Sequence, residues 1–206
     1  MLIDRYNLFI FDWDGTLATS APLVKIARLF KRRYSISHMV NRSATYKIDT
    51  VSEFVRQEDI SRFYAFAYGV YSFFYKPKLK PGAMELLREL KKKGKKVAIF
   101  SDANRYRLLI EVKKLGVLDY ADLMLSADSI KRYKPNPTGI KMILDNFRCS
   151  KSKCLYIGDM AADIFTARFA GVSSCVVGDG VDPHEVLRSV KPTYFSESIG
   201  ALRSLK

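Results

Sequence analysis

Cysteine is scarce in this chain of 206 residues, and Cys149, Cys154 and Cys175 are odd in number and lack the spacing of metal ligands. No disulfide framework or zinc site is expected, and the thiols are read as reduced, Cys154 and Cys175 packed inside strands. Histidine is scarcer still, with two residues. His38 has no acidic or cysteine neighbour, and His184 falls at the start of a helix in Asp182-Pro183-His184-Glu185, a cap, a proline at the first position and a capping-box glutamate, so neither is assigned a catalytic role. No apolar run approaches the roughly 18 to 20 residues of a membrane span. Asp4 and the Asp12-Trp13-Asp14 break also leave no uninterrupted secretory leader, so a cytoplasmic protein without a membrane partner is expected. Acids are in deficit, 21 against 35 Lys and Arg, which gives a net charge of +14 and calls for an anionic partner: nucleic acid, an acidic surface or a phosphorylated metabolite. The run Lys91-Lys92-Lys93-Gly94-Lys95-Lys96 is better read as a helix C-terminus with cations against its dipole.

What is present is a stretch near the N-terminus. Leu8 to Phe11 reads as a buried parallel strand, and it stops at two acids, Asp12 and Asp14, followed by Gly15-Thr16-Leu17. From Ser20 to about Tyr75 the pattern is helical. Leu23, Ala27, Phe30 and Tyr34 share one face opposite Lys25, Arg28 and Arg32, and Phe63 to Tyr75 is aromatic at helical spacing, which fits a core better than a base-stacking surface. A linker with two prolines, Lys76 to Gly82, closes this segment. Beyond it strands at 97–100, 123–125, 154–157 and 175–177 alternate with helices at 104–115, 137–147 and 161–170, the rhythm of an α/β fold with a parallel sheet.

In such a fold the strand ends converge on one rim. There stand Asp12 and Asp14, then Ser101-Asp102-Ala103-Asn104 opening a helix as a phosphate site would, then Lys134 in Lys134-Pro135-Asn136-Pro137, then Gly158-Asp159-Met160-Ala161-Ala162-Asp163. Four carboxylates, a hydroxyl and a lysine would meet, and so many hard oxygen ligands favour Mg²⁺.

The ordered set D-W-D-G-T-L, Ser101, Lys134 and G-D-M-A-A-D resembles the haloacid dehalogenase-like superfamily, in particular its phosphoglycolate-phosphatase-like branch, across essentially the whole chain. The resemblance implies a Rossmann-like core formed by residues 1–17 and 79–206, with an inserted all-helical cap of the C1 type at 18–78. It also implies roles. Asp12 would be the nucleophile that forms an aspartyl-phosphate, and Asp14 the general acid and then base. Mg²⁺ would be held by the Asp12 carboxylate, the Asp14 carbonyl and Asp159, with Asp163 holding a metal-bound water. Ser101, Asp102 and the neighbouring amides would bind phosphoryl oxygens, and Lys134 would bridge phosphate and nucleophile.

The function expected is Mg²⁺-dependent hydrolysis of a small phosphorylated metabolite. Asp14 argues against a metal-free dehalogenase, whose first motif would lack the second acid. A sugar-phosphate mutase shares all four motifs and stays open, to be separated by its product. A basic nucleic-acid-binding module without turnover has only charge in its favour. Leu17 to Lys78 carries eleven Lys and Arg against four Asp and Glu, a net +7 equal to that of the longer remainder. Lys25, Arg28, Asn41, Arg42 and Lys47 are therefore candidate contacts to an anionic leaving group.

Overall fold

The computed structural model describes residues 1–19 and 76–205. Among them the chain opens with helix α1 (Leu2–Arg5) and strand β1 (Leu8–Phe11) and, after the inserted segment, continues with α2 (Ala83–Lys92), β2 (Lys96–Ser101) and α3 (Arg105–Lys114). Then follow β3 (Leu123–Ser126), α4 (Ala127–Ile130), α5 (Thr138–Phe147), β4 (Cys154–Gly158), α6 (Ala161–Ala170), β5 (Ser173–Val177), α7 (His184–Ser189) and β6 (Tyr194–Ser196). The strands form one sheet in the order β3-β2-β1-β4-β5-β6, and every pairing is parallel. This is the doubly wound order that leaves a crevice at the carboxyl ends of the strands where the winding reverses.

All four residues of β1 are buried, because the sheet carries helices on both faces. Side chains divide with the period of two that a strand imposes. Phe9, Phe11, Val97, Ile99, Leu155 and Ile157 pack with Leu86, Leu87 and Leu90 of α2 and Leu108 and Val112 of α3. Leu8, Ile10, Ala98, Phe100 and Tyr156 pack on the other face with Ile140 and Ile143 of α5 and Ala167 of α6. Each fully buried leucine or isoleucine contributes roughly 1.5–3 kcal/mol, so this double core fixes the register of β1. That register pairs Phe11 with both Ile99 and Ile157, and places the next residue, Asp12, between the ends of β2 and β4.

The inserted segment leaves and returns at one point. Ala18 bridges antiparallel to Leu79, Thr19 N–H donates to the Lys78 carbonyl at 2.8 Å, and Lys80 N–H donates to the Leu17 carbonyl at 2.9 Å. The expected helices of the 18–78 cap, and with them Lys25, Arg28, Asn41, Arg42 and Lys47, lie outside the described residues.

Three details differ from the sequence reading. The strand β6 and the helix α1 were not anticipated, being too short to show a period. Asp182 does not cap α7: its carboxylate accepts from Ala161 N–H at 2.9 Å, so it satisfies the N-terminus of α6 instead. In the lysine run, Lys91 and Lys93 reach Asp122 and Asp4 at 2.8 and 2.9 Å, so these two are paired as well as suited to the helix end. Cys154 and Cys175 are buried free thiols, as expected, and burial pushes the Cys175 thiol up to about 12.

Candidate active site

The strand β1 delivers Asp12 to the rim with its carboxylate all but sealed from solvent. Its N–H still donates to the Ile157 carbonyl at 2.8 Å, continuing the ladder one residue past the strand and fixing the backbone there. Lys134 arrives from the loop between α4 and α5. Its ammonium lies 2.7 Å from Asp12 Oδ1 and 2.8 Å from Asp163 Oδ1, over the rings of Phe100 and Tyr156. Burial alone would pull this lysine down, but the Asp12 and Asp163 carboxylates overcome that and hold it well above the ordinary lysine range.

Asp163 sits in the first turn of α6, and its Oδ2 accepts from the N–H groups of Asp159 and Met160 at 3.1 and 3.0 Å. It thereby caps its own helix while Oδ1 takes Lys134 and, at 3.0 Å, the Tyr156 hydroxyl. Burial, then the Asp163 charge, pushes that phenol far above its usual range, so Tyr156 stays a donor. Asp159 is held by Thr16 Oγ1 at 3.3 Å and Val181 N–H at 2.9 Å. Two glycines let these acids approach. A Cβ on Gly158 would overlap the Asp163 carboxyl, and one on Gly180 would overlap Asp159.

On the β2 side Ser101 is fully buried and its Oγ accepts from Ala103 N–H at 3.1 Å. The Asp102 carboxylate accepts from the Lys134 N–H at 3.1 Å, so its side chain anchors the lysine loop, and any part it takes in binding an anion runs through its backbone N–H. Asn104 caps α3, accepting from Tyr106 N–H at 3.0 Å. These groups frame the N-terminus of a ten-residue helix, a setting suited to an anion.

Asp14 turns toward α3. Arg107 grips both of its oxygens, Nη1 to Oδ1 at 3.0 Å and Nη2 to Oδ2. Nη1 also reaches Glu111 at 3.3 Å, and Glu111 accepts from Trp13 Nε1 at 2.7 Å. Burial raises the Glu111 carboxyl against the opposing pull of Arg107. On the far side, buried Lys80 donates to the Gly15 carbonyl at 3.0 Å and pairs with Asp179 at 2.7 Å, which ties the returning chain to the motif it left.

The structure therefore gathers Asp12, Lys134, Asp159 and Asp163 into one cluster and sets Asp14 beside it on Arg107. Sequence reasoning missed Thr16, Lys80, Tyr156, Arg107, Glu111 and the true partner of Asp182. Only Arg107 and Glu111 left a signal, a charge pair four residues apart in the helix that follows Ser101.

Oxygens of Asp12, Asp159 and Asp163 lie within 4.8 Å of one another. Lys134 offsets one of these three buried negative charges, and the remainder, on hard oxygen donors, fits a divalent cation. A sequence model described as haloacid dehalogenase-like hydrolase matches residues 9–177. The chain belongs to this family. It has relatives named for phosphate chemistry. It is 26% identical over 118 residues to the pyrophosphatase PpaX of Halalkalibacterium halodurans, 57% of this chain and 55% of that one, so the match spans about half of that relative's length. It is 24% identical to the phosphoglycolate phosphatase of Vibrio vulnificus over 98% of this chain and 96% of that one. The fold matches the crystal structure of a predicted phosphoglycolate phosphatase from Haemophilus somnus 129PT with a TM-score of 0.71 at 19% identity, covering 97% of each chain. No helix among the described residues is long and apolar enough to cross a membrane.

Proposed function

We propose that this haloacid dehalogenase-like hydrolase is a Mg²⁺-dependent phosphatase of small phosphorylated metabolites that works through an aspartyl-phosphate on Asp12. The observation that carries the reading is the buried Asp12 carboxylate at the tip of β1, held at 2.7 Å by Lys134 beside two further acids. Phosphate monoesters are among the substrates slowest to hydrolyse unaided, and their catalysis rests on positioning and charge stabilisation. A carboxylate approaching a phosphate dianion is repelled, and the Lys134 cation lowers that repulsion where it counts, between nucleophile and phosphorus. Asp12 attacks in line. The Ser101 hydroxyl and the N–H groups of residues 102 and 103 donate to the phosphoryl oxygens.

Asp12, Asp159 and the Asp14 carbonyl would hold Mg²⁺, with Asp163 behind them. When bound, the metal supplies charge neutralisation at the transferred phosphoryl group. A carboxylate committed to attack cannot also move protons, so Asp14 serves that step: it protonates the departing oxygen, then takes a proton from the water that hydrolyses the aspartyl-phosphate. The 18–78 insertion is proposed as a C1 helical cap that chooses the leaving group, supported by the paired crossing at Ala18 and Leu79 and by its basic sequence. Buried free thiols at Cys154 and Cys175 accord with a reducing, cytoplasmic setting.

The test is a phosphate-release screen with Mg²⁺ over phosphoglycolate, pyrophosphate, nucleotides and sugar phosphates. Release from a small subset supports the reading. Isomer formation without release would show a mutase, and steeply salt-dependent nucleic-acid binding without release would show a binding module.

A further inference from the structure

The grip of Arg107 on Asp14 has chemical content of its own. The guanidinium fork takes one site on each oxygen of the carboxylate, so it stands beside whatever else Asp14 meets. A departing oxygen that reaches Asp14 therefore comes within range of the same guanidinium. The two partners are unequally placed: the Asp14 side chain is 3% exposed and that of Arg107 is 13%, so the cation is the more accessible member. Arg107 is also held from behind. Nη1 reaches Glu111 at 3.3 and 3.4 Å, and Glu111, 1% exposed, is fixed in turn by the Trp13 indole N–H at 2.7 Å. On leaving Asp14 the guanidinium would therefore stay anchored at Nη1 and present Nη2.

We infer that Arg107 is a specificity-determining residue that passes its guanidinium from Asp14 to a negative charge on the departing half of the substrate. The favoured substrates are phosphate esters or anhydrides whose leaving group is itself an anion, a carboxylate or a second phosphate close to the broken bond. This rests on Asp14 being the group that meets the leaving oxygen, since a residue bonded to Asp14 then lies within reach of that same half of the substrate. Charge makes the selection two-sided. With Arg107 in place one cation is shared by Asp14 and Glu111 and can turn to an incoming anion. Without it two carboxylates face that anion and repel it.

The experiment compares 2-phosphoglycolate with isobutyl phosphate, a neutral-leaving-group compound of the same shape, in the presence of Mg²⁺, for the wild-type chain and Arg107→Ala. 4-Nitrophenyl phosphate serves as a general phosphatase probe. The wild type is expected to favour phosphoglycolate in kcat/KM, and Arg107→Ala to narrow that preference by roughly tenfold or more, chiefly through KM, the scale of one charge-assisted hydrogen bond. Arg107→Gln, of similar length but neutral, replaces the alanine variant if circular dichroism shows that the latter does not fold. Equal losses on both esters, or a wild type without preference, would overturn the inference alone and leave Arg107 as a support for Asp14. No turnover of any ester, 4-nitrophenyl phosphate included, would overturn it together with the phosphatase reading.

Discussion

Lys134 Nζ stands 2.7 Å from Asp12 Oδ1, although 122 residues separate the two in the chain. The contact joins the end of β1 to the loop before α5, and the same ammonium continues to Asp163 at 2.8 Å. One lysine thus sets the spacing of two acids that would otherwise repel each other in a buried site. In the proposed reaction the same contact helps to fix the orientation of the Asp12 carboxylate.

Replacing Asp12 with asparagine tests that assignment. The amide nearly preserves shape and can still accept from Lys134, so the fold should survive with a near-native circular dichroism spectrum. Turnover of the best substrate should fall by at least roughly 10⁴-fold, as when a nucleophile is removed. Phosphate release within tenfold of wild type would exclude Asp12 as the attacking group.

Metal dependence can be read without turnover. Binding to the folded state alone raises stability by RT ln(1 + [L]/Kd), about 2.7 kcal/mol at a hundred times Kd. Millimolar Mg²⁺ should raise Tm of the EDTA-treated wild type, and restore activity lost to EDTA. Asp159→Asn should abolish the Tm rise while leaving the protein folded. An unchanged Mg²⁺ response in that variant would remove Asp159 from the ligand set.

How legible was this in the sequence? The strand tips were, because acids, a serine and a lysine each follow an apolar run or a proline-bounded turn, and a parallel sheet brings such tips together whatever their distance in the chain. The supporting residues were not. Tyr156 reads as one more apolar strand residue, and only the tertiary fold shows its hydroxyl on Asp163. Arg107 and Glu111 stand four residues apart in the sequence, and only the fold shows Glu111 buried against Trp13 and Arg107 turned to Asp14. Asp182 has the form of a helix cap, and the N–H group it satisfies belongs to another helix. Local pattern names the groups that gather at the strand tips, while the groups that hold them depend on contacts across the fold.

Gly158→Ala probes how tightly the acids are packed. The added methyl would overlap the Asp163 carboxyl, which is bound on both oxygens and cannot move without breaking its bonds to Lys134, Tyr156 or the start of α6. The expected cost is about 1–3 kcal/mol of stability, as for overpacking of a dense core, together with loss of activity. A urea midpoint equal to that of wild type would show that Asp163 has room to shift.

Alkaline pH isolates Tyr6. This buried residue donates its hydroxyl to Tyr194 at 3.1 Å, and burial pushes its phenol up to about 12. Burial thus outweighs the mixed pull of its hydrogen bonds. In the unfolded chain a tyrosine titrates near 10, so between the two values the unfolded state loses a proton that the folded state keeps. The stability tied to this group is complete below about pH 10 and is lost as pH rises toward about 12. Tyr6→Phe removes the titration and keeps the ring packing against Phe9. Cys175 and Lys134 are common to both proteins and cancel in the difference. Urea unfolding from pH 8 to 12 should therefore show wild type losing stability more steeply than Tyr6→Phe above pH 10, and parallel curves would mean that the Tyr6 hydroxyl titrates alike in the folded and unfolded chain.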